Sequence, residues 1–388
     1  MAEHGSLQSV LGESLRGYCQ GHTLNPRQWQ VCHHILACRT EALGEMRLCC
    51  ERCGQQSRLF HACRDRHCPR CQRRASQRWC DRQRGHTLEV VYYHVVFTLP
   101  ESANPWAEIH PEVIYDQLLK SAWATLSTFA GDAKRLNGQL GATLVLHTWG
   151  QTLTRHLHVH CLVPGGALTE QGDWKAARGN YLFPVRALSR YFRGHFVAGI
   201  RARYDDGELP RLKGPVELKR GLDALMQSDW VVYSKRCLQH TEAVIDYLGR
   251  YSHRIALSDS RLLDVRGGQV QLRYSDYRDQ GRRKVMCLSA EELIRRFLLH
   301  VLPKGFMRIR HCGFLANRCR RVKLAQIRRA IGQAMEQSAE PEAAADAGID
   351  GYRCPRCGIG RLMLVAFVPA PATLIRPQPP PRIAAPMY

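Results

Sequence analysis

The sequence lacks any apolar run near the ~18 residues of a membrane-spanning helix, which excludes a helical membrane span. Its opening, MAEHGSLQSVLGESLRGY, lacks the basic-then-apolar order of a secretory leader. A soluble, cytoplasmic chain is therefore expected. Acidic side chains are scarce: 34 Asp+Glu face 56 Lys+Arg, for a formal net charge of +22. Such a surplus points to a polyanionic partner, nucleic acid ahead of an anionic membrane. Lysine is scarcer still, with 9 residues against 47 arginines and none before Lys120. Arginine makes planar, bidentate contacts with phosphate and stacks on bases. A GC-rich coding sequence also favours arginine, but that origin leaves the charge in place. At 388 residues and 45% hydrophobic content, the chain has room for two or three domains.

Cysteine is abundant: 17 residues, ten of them among the first 80. Without a leader, clustered cysteines read as metal ligands rather than disulfides. Cys50-x-x-Cys53 and Cys68-x-x-Cys71 each put two thiolates on one tight turn. Together they would form the tetrahedral sulfur set of a closed, structural zinc site. Cys38, His61, Cys63 and His67 lie close enough to complete a second site or to exchange with one of the four. Cys354 and Cys357 have no evident partner pair, although Cys312 and Cys319 are candidates. Arg64, Arg66, Arg70, Arg73 and Arg74 surround the cluster and would let it dock on DNA phosphates.

Further along, the texture changes. Leu88–Leu99 is β-branched and aromatic, a buried strand closed by Pro100. Residues 111–135 carry helical apolar spacing, strands follow near 142–151 and 156–163, and residues 184–203 form a basic amphipathic helix. Thr241 is a plausible cap for a short helix over 241–253. A hairpin over 261–278 turns at Gly267-Gly268, and Ser289 with Glu292 forms a capping box. Residues 336–347 read as an acidic linker, and the Pro-rich stretch from Pro369 as a disordered tail.

Two patterns carry chemistry. In His156-Leu-His158-Val-His160, strand alternation puts the three imidazoles on one face and Leu157 and Val159 in the core. Two of them can reach one metal. A hairpin would lay Gln151, seven residues before His158, across from the pair as an oxygen ligand. Two nitrogens with oxygen and water suit Mn²⁺ or Mg²⁺. His147 and His156 are alternatives, and an all-His set would favour zinc. Tyr247 and Tyr251 are four apart on one helix face. Such a pair usually packs a core, but it can also supply phenolate nucleophiles. Arg250 and Arg254 flank it and would lower the phenol pKa and hold phosphates.

The ordered blocks CRTEALG (Cys38–Gly44), HACRDRHCPRCQ (His61–Gln72), HVVFTLP (His94–Pro100), LHTWGQTL (Leu146–Leu153), HLHVHCLVPGG (His156–Gly166), YLGRYSHRIALS (Tyr247–Ser258) and LLHVLPKGFMRIRHCGFLANR (Leu298–Arg318) resemble transposases of the insertion sequence 91 family. These belong to the His-hydrophobic-His, or HUH, tyrosine nucleases. The resemblance implies an α+β fold. Its parts are a small zinc-ribbon-like N-terminal domain (1–84) and an HUH nuclease domain (85–335) with a central antiparallel sheet and flanking helices. A linker with the C-terminal CxxC (336–368) and the tail (369–388) follow. It puts the HUH signature on His158 and His160 and the nucleophiles on Tyr247 and Tyr251. It further implies rolling-circle-type transposition of single-stranded DNA, with structural Zn²⁺ and catalytic Mg²⁺ or Mn²⁺. A replication initiator or relaxase would share this chemistry, and a non-catalytic zinc-ribbon regulator would bind DNA without cutting it.

Overall fold

The computed structural model describes residues 5–212, 214–237, 249, 256–333 and 352–371. The chain divides into two compact units, one from residues 1–75, 257–301 and 339–388, the other from 76–256 and 302–338. The expected boundaries are corrected in three places. Residues 257–301 belong with the N-terminal segment rather than with the central sheet, and so does the C-terminal CxxC segment. The first division falls inside a helix, not at residue 84.

In the first unit, α1 (Leu7–Gly21) starts where the Ser6 hydroxyl accepts the Ser9 N–H and the Ser9 side chain returns the bond. Asn25 and Gln28 repeat this device for α2 (Pro26–Ala37), with Pro26 in the first turn, where its missing N–H costs nothing. Leu7, Val10, Leu11 and Leu15 of α1 and Val31, Cys32 and Ile35 of α2 are buried. β1 (Glu45–Cys50) lies between β2 (Gln56–Phe60) and β13 (Leu362–Val368), so the C-terminal segment supplies one edge of this antiparallel sheet. α3 (Pro69–Arg84) follows the cysteine loop. A meander of β9 (Leu262–Arg266), β10 (Gln269–Asp276) and β11 (Arg282–Ser289) turns at Gly267-Gly268. Both glycines have positive φ (55° and 73°), as a two-residue hairpin turn of the primed type requires. α8 (Ala290–Leu298) is capped by Ser289, whose hydroxyl accepts the Glu292 N–H at 3.1 Å, and it packs on α1.

The second unit is built on one five-stranded antiparallel sheet in the order β12-β4-β5-β3-β8. Its strands are β3 (Tyr92–Thr98), β4 (Gly141–Trp149), β5 (Arg155–Pro164), β8 (Val232–Cys237) and β12 (Ile309–Gly313). Alternation splits every strand between two faces. Tyr93, Val95, Phe97, Leu144, Leu146, Leu157, Val159 and Cys161 enter the core with Leu118 and Leu126 of α5 (Pro111–Gly131) and Phe192 and Phe196 of α6 (Val185–Asp205). Phe192 and Phe196, one helical turn apart, both meet Trp230, with centroids 5.2 and 5.4 Å away. Buried side chains of this size are worth about 1.5–3 kcal/mol each. Short α4 (Asn104–Ile109) and α7 (Pro215–Gln227) add Ala107, Leu218 and Leu222 to the core. β6 (Gly166–Leu168) and β7 (Trp174–Ala176) form a small ribbon, and α9 (Arg320–Ala330) follows β12. The opposite face carries Tyr92, His94, Thr143, Val145, His147, His156, His158, His160 and Leu162. The α+β class, with a central antiparallel sheet and flanking helices, is as expected.

Gly313 ends β12 at φ 62°, where an added Cβ would lie 1.7 Å from the Leu140 carbonyl oxygen. Gly313→Ala is expected to cost about 3 kcal/mol or more, since left-handed strain adds to a backbone clash. Chemical denaturation checks this; an unchanged midpoint would contradict the packing at this edge.

Candidate metal centres on the sheet face and in the cysteine loops

β4 and β5 pair with His147 directly opposite His158, and β3 lies on the other side of β5 with Val96 opposite His160. Three imidazoles therefore converge on one face. The ring nitrogens of His147, His158 and His160 that could hold a cation all lie within 4.8 Å of one another. His147 takes the place that the sequence reading gave Gln151. The chain turns early here: Gly150 N–H donates to the Thr154 carbonyl at 2.9 Å, and Leu153 adopts φ 60°. Trp149 then pairs with Arg155, and Gln151 falls in the turn instead of opposite His158. His156 lies tilted beside His158, centroids 4.8 Å apart, outside the triad.

The rings are oriented by their other nitrogens. His158 Nδ1 is 2.9 Å from the His156 carbonyl, which can only accept, so Nδ1 carries the proton. His160 Nδ1 is 2.8 Å from Nε2 of His94, and these two rings stack at 5.0 Å and 7°. Both ligand candidates would thus meet a cation through Nε2, each fixed by a partner behind it. His94, on β3, is the candidate beside the triad that the sequence reading did not single out. It was quoted inside HVVFTLP, and alternation alone puts it on the same face as the triad. Burial pushes His158 and His94 down to about 4, so both rings are neutral at pH 7, the form that binds metal.

The cysteines form two sets, not one. Cys68 and Cys71 meet Cys38 and Cys63, while Cys50 and Cys53 meet Cys354 and Cys357. The expected site of Cys50, Cys53, Cys68 and Cys71 is corrected accordingly. In the first set the Sγ pairs Cys38–Cys71, Cys63–Cys71 and Cys68–Cys38 are each 3.6 Å apart. Four sulfurs bound to zinc at about 2.3 Å span tetrahedron edges of about 3.8 Å. Disulfide sulfurs would be about 2.0 Å apart, and all eight cysteines are free. The loop is shaped from within: Arg39 N–H donates to the His61 carbonyl, and Cys68 N–H to that of Asp65. His67 turns away from the sulfurs to Asp65, 2.8 Å from its Oδ1, and His34 holds Oδ2 at 2.9 Å. Burial works against the Asp65 carboxylate, but these hydrogen bonds outweigh it and hold the pKa below the usual range. Cys312 and Cys319 join neither set.

Two family models match the chain: a transposase zinc-binding domain over residues 10–99 and a putative transposase over residues 141–323. Over 369 residues it is 41% identical to putative transposase y4qJ of Sinorhizobium fredii, covering 91% of this chain and 92% of the relative. The chain belongs to the insertion sequence 91 family of transposases. The transposase is also 30% identical over 356 residues to the transposase for insertion sequence element IS801 of Pseudomonas savastanoi pv. phaseolicola, covering 86% and 82% of the two chains. Among solved structures, the conjugative relaxase TrwC in complex with oriT DNA aligns with a TM-score of 0.24 at 12% identity, covering 40% of this chain and 69% of that one. No helix among the described residues is long and apolar enough to cross a membrane. The zinc-binding model contains the whole Cys38, Cys63, Cys68, Cys71 set, whose donor chemistry and spacing fit zinc.

The transposase's expected DNA contacts are unevenly accessible. Arg70 is exposed on the first turn of α3, with Nη1 donating to Gln8 Oε1 at 2.5 Å, and half-buried Arg66 has its pKa lowered by burial. Tyr247, Tyr251, Arg250 and Arg254 lie outside the described residues. Between the tyrosines, Gly249 is described. Its carbonyl accepts the Ser76 hydroxyl at 3.2 Å, and a Cβ on it would lie 2.6 Å from Cys80 Sγ. Cys80 in turn packs on Tyr92 and Leu162, on the histidine face of the sheet.

Two outcomes follow for the second unit. His86, His94, His158 and His311 are each pushed by burial from 6.5 to about 4. The unfolded chain then binds more protons than the folded one across that window. Stability is therefore expected to fall as pH drops from about 6.5 to about 4, then to level off for these groups. Melting curves across this range check it, and a flat profile would contradict the burial. His94→Ala removes the partner behind His160 and is expected to weaken Mn²⁺ binding about 10–100-fold. Calorimetric titration reads this directly, and unchanged affinity would rule out the orienting role.

Proposed function

We propose that this transposase cuts and rejoins single-stranded DNA through a tyrosine nucleophile beside a divalent metal held by His147, His158 and His160. The observation that carries the reading is the convergence of three imidazoles on the face of the central sheet, two of them oriented by hydrogen bonds behind the ring. Gly249 supports it, since this residue lies between Tyr247 and Tyr251 and rests on the helix that covers that face. When bound, the cation supplies Lewis-acid polarisation of the scissile phosphate. Three nitrogens favour Mn²⁺ over Mg²⁺, which prefers oxygen ligands, and the all-His set also suits Zn²⁺.

The protein's own groups do the rest. The phenol Oη of Tyr247 or Tyr251 attacks phosphorus as its proton leaves. A tyrosyl O–P bond forms, the P–O3′ bond breaks, and the 3′ oxygen takes a proton. The phosphotyrosine keeps the energy of the broken ester, so joining to a new 3′-hydroxyl needs no nucleotide cofactor. A second tyrosine four positions along the sequence would allow another cleavage while the first strand is still attached. Arg250 and Arg254 would hold the phosphates, with Arg66 and Arg70 gripping DNA near the cysteine loop. Zinc in the Cys38, Cys63, Cys68, Cys71 set would fix that loop.

The test uses purified protein, Mn²⁺ and single-stranded oligonucleotides spanning the element's end. The expected result is an SDS-stable protein–DNA adduct. It should fall at least ~100-fold in the Tyr247→Phe, Tyr251→Phe double variant and in His158→Ala, His160→Ala. Undiminished adduct in the double tyrosine variant would falsify the nucleophile assignment.

A further inference from the structure

We infer that Cys50, Cys53, Cys354 and Cys357 form a second tetrahedral Zn²⁺ site, one that fastens the C-terminal segment of the chain to its N-terminal zinc-binding module. The four Sγ atoms lie within 4.8 Å of one another. Cys50–Cys357 and Cys53–Cys354 are 3.8 and 3.7 Å apart, near the ~3.8 Å edge of a zinc–thiolate tetrahedron.

The two halves of the site are the same turn made twice. Cys50-Glu-Arg-Cys53-Gly54 and Cys354-Pro-Arg-Cys357-Gly358 share the spacing CxxCG. In each, the glycine N–H donates to the carbonyl of the first cysteine, at 3.0 Å for Gly54 and 2.9 Å for Gly358. Both glycines sit in the left-handed region, at φ 68° and 69°, where a side chain is disfavoured. Such a turn aims two sulfurs at one point, and two of them supply a closed coordination shell.

Around the sulfurs the packing is tight. Gly360 N–H points to Cys357 Sγ at 3.3 Å, and a Cβ on Gly360 would lie 2.5 Å from Cys50 Sγ. Beyond the site, β13 continues antiparallel along β1 from Leu362 opposite Cys50 to Val368 opposite Glu45. The apolar support is small: Leu48, Cys50, Cys354 and Leu362 are its buried members. A metal joining the two turns would add its binding energy to this small cluster and the β1–β13 ladder. The two turns are over 300 residues apart in sequence, the bridging sulfurs being separated by 301 and 307 positions. By contrast, the Cys38, Cys63, Cys68, Cys71 set is complete within one short stretch. The first site can form early in synthesis; the second waits for Cys357.

The experiment is elemental analysis of the full-length protein after dialysis against a mild chelator, paired with thiol labelling. Two zinc ions per chain are expected in the wild type and one in the Cys354→Ser, Cys357→Ser variant. If that variant does not fold, labelling of the wild type decides the matter. N-ethylmaleimide should leave Cys354 and Cys357 unmodified, relative to exposed Cys287 as internal control, until a strong chelator strips the metal. One zinc in the wild type, two in the folded variant, or labelling of Cys354 and Cys357 as fast as Cys287 would each overturn the site. None of these readouts depends on tyrosine chemistry.

Discussion

The period of two in a β-strand is the constraint on which the rest depends. On β5 it sends Leu157, Val159 and Cys161 into the core and turns His156, His158 and His160 outward. Because β3 and β4 flank β5 in fixed register, His94 and His147 arrive on the same face without any loop having to place them. A slip of one residue would send the imidazoles into the aliphatic core and the leucines to the other face, so the core that stabilises the sheet also enforces the histidine cluster. Orientation then comes from hydrogen bonds behind the rings, one to a carbonyl and one to another imidazole.

The cysteine sites solve a different problem. The first unit is assembled from three separated stretches of chain, and its β1–β2–β13 sheet has little apolar material beneath it. Sulfur clusters replace a core there, as they do in small domains generally. The exposed apolar residues of β13, such as Met363, Leu364 and Phe367, underline the point: that strand is held by its ladder and by the cysteine turn before it rather than by burial.

Much of this was legible in the sequence. The β-branched run at β3, the alternation at β5, the Gly267-Gly268 turn and the Ser289 cap each obey local rules, and all four features are present. What could not be read depends on long-range pairing. The partner of His158 turned on whether the chain reversed at Gly150 or a few residues later, and a left-handed Leu153 decided it. Six CxxC thiols can pair in several ways, and only the residue after each motif distinguishes Cys68 from Cys354 as the partner of Cys50. The shared glycine after Cys53 and Cys357 was the clue, since it marks two copies of one turn. Residues 257–301 were assigned by sequence neighbourhood to the sheet domain. Their actual ties, such as the Leu7 N–H to Asp259 Oδ1 bond at 2.9 Å, join positions 252 apart.

The proposed chemistry requires one divalent ion held by three histidine nitrogens on the sheet face. Pulsed electron paramagnetic resonance of the Mn²⁺-loaded protein, with histidine labelled in ¹⁵N, measures this most directly. Hyperfine couplings from three imidazole nitrogens are expected, reduced to two in His147→Ala. Mn²⁺ bound with no imidazole coupling, or couplings unaltered by His147→Ala, would contradict the account.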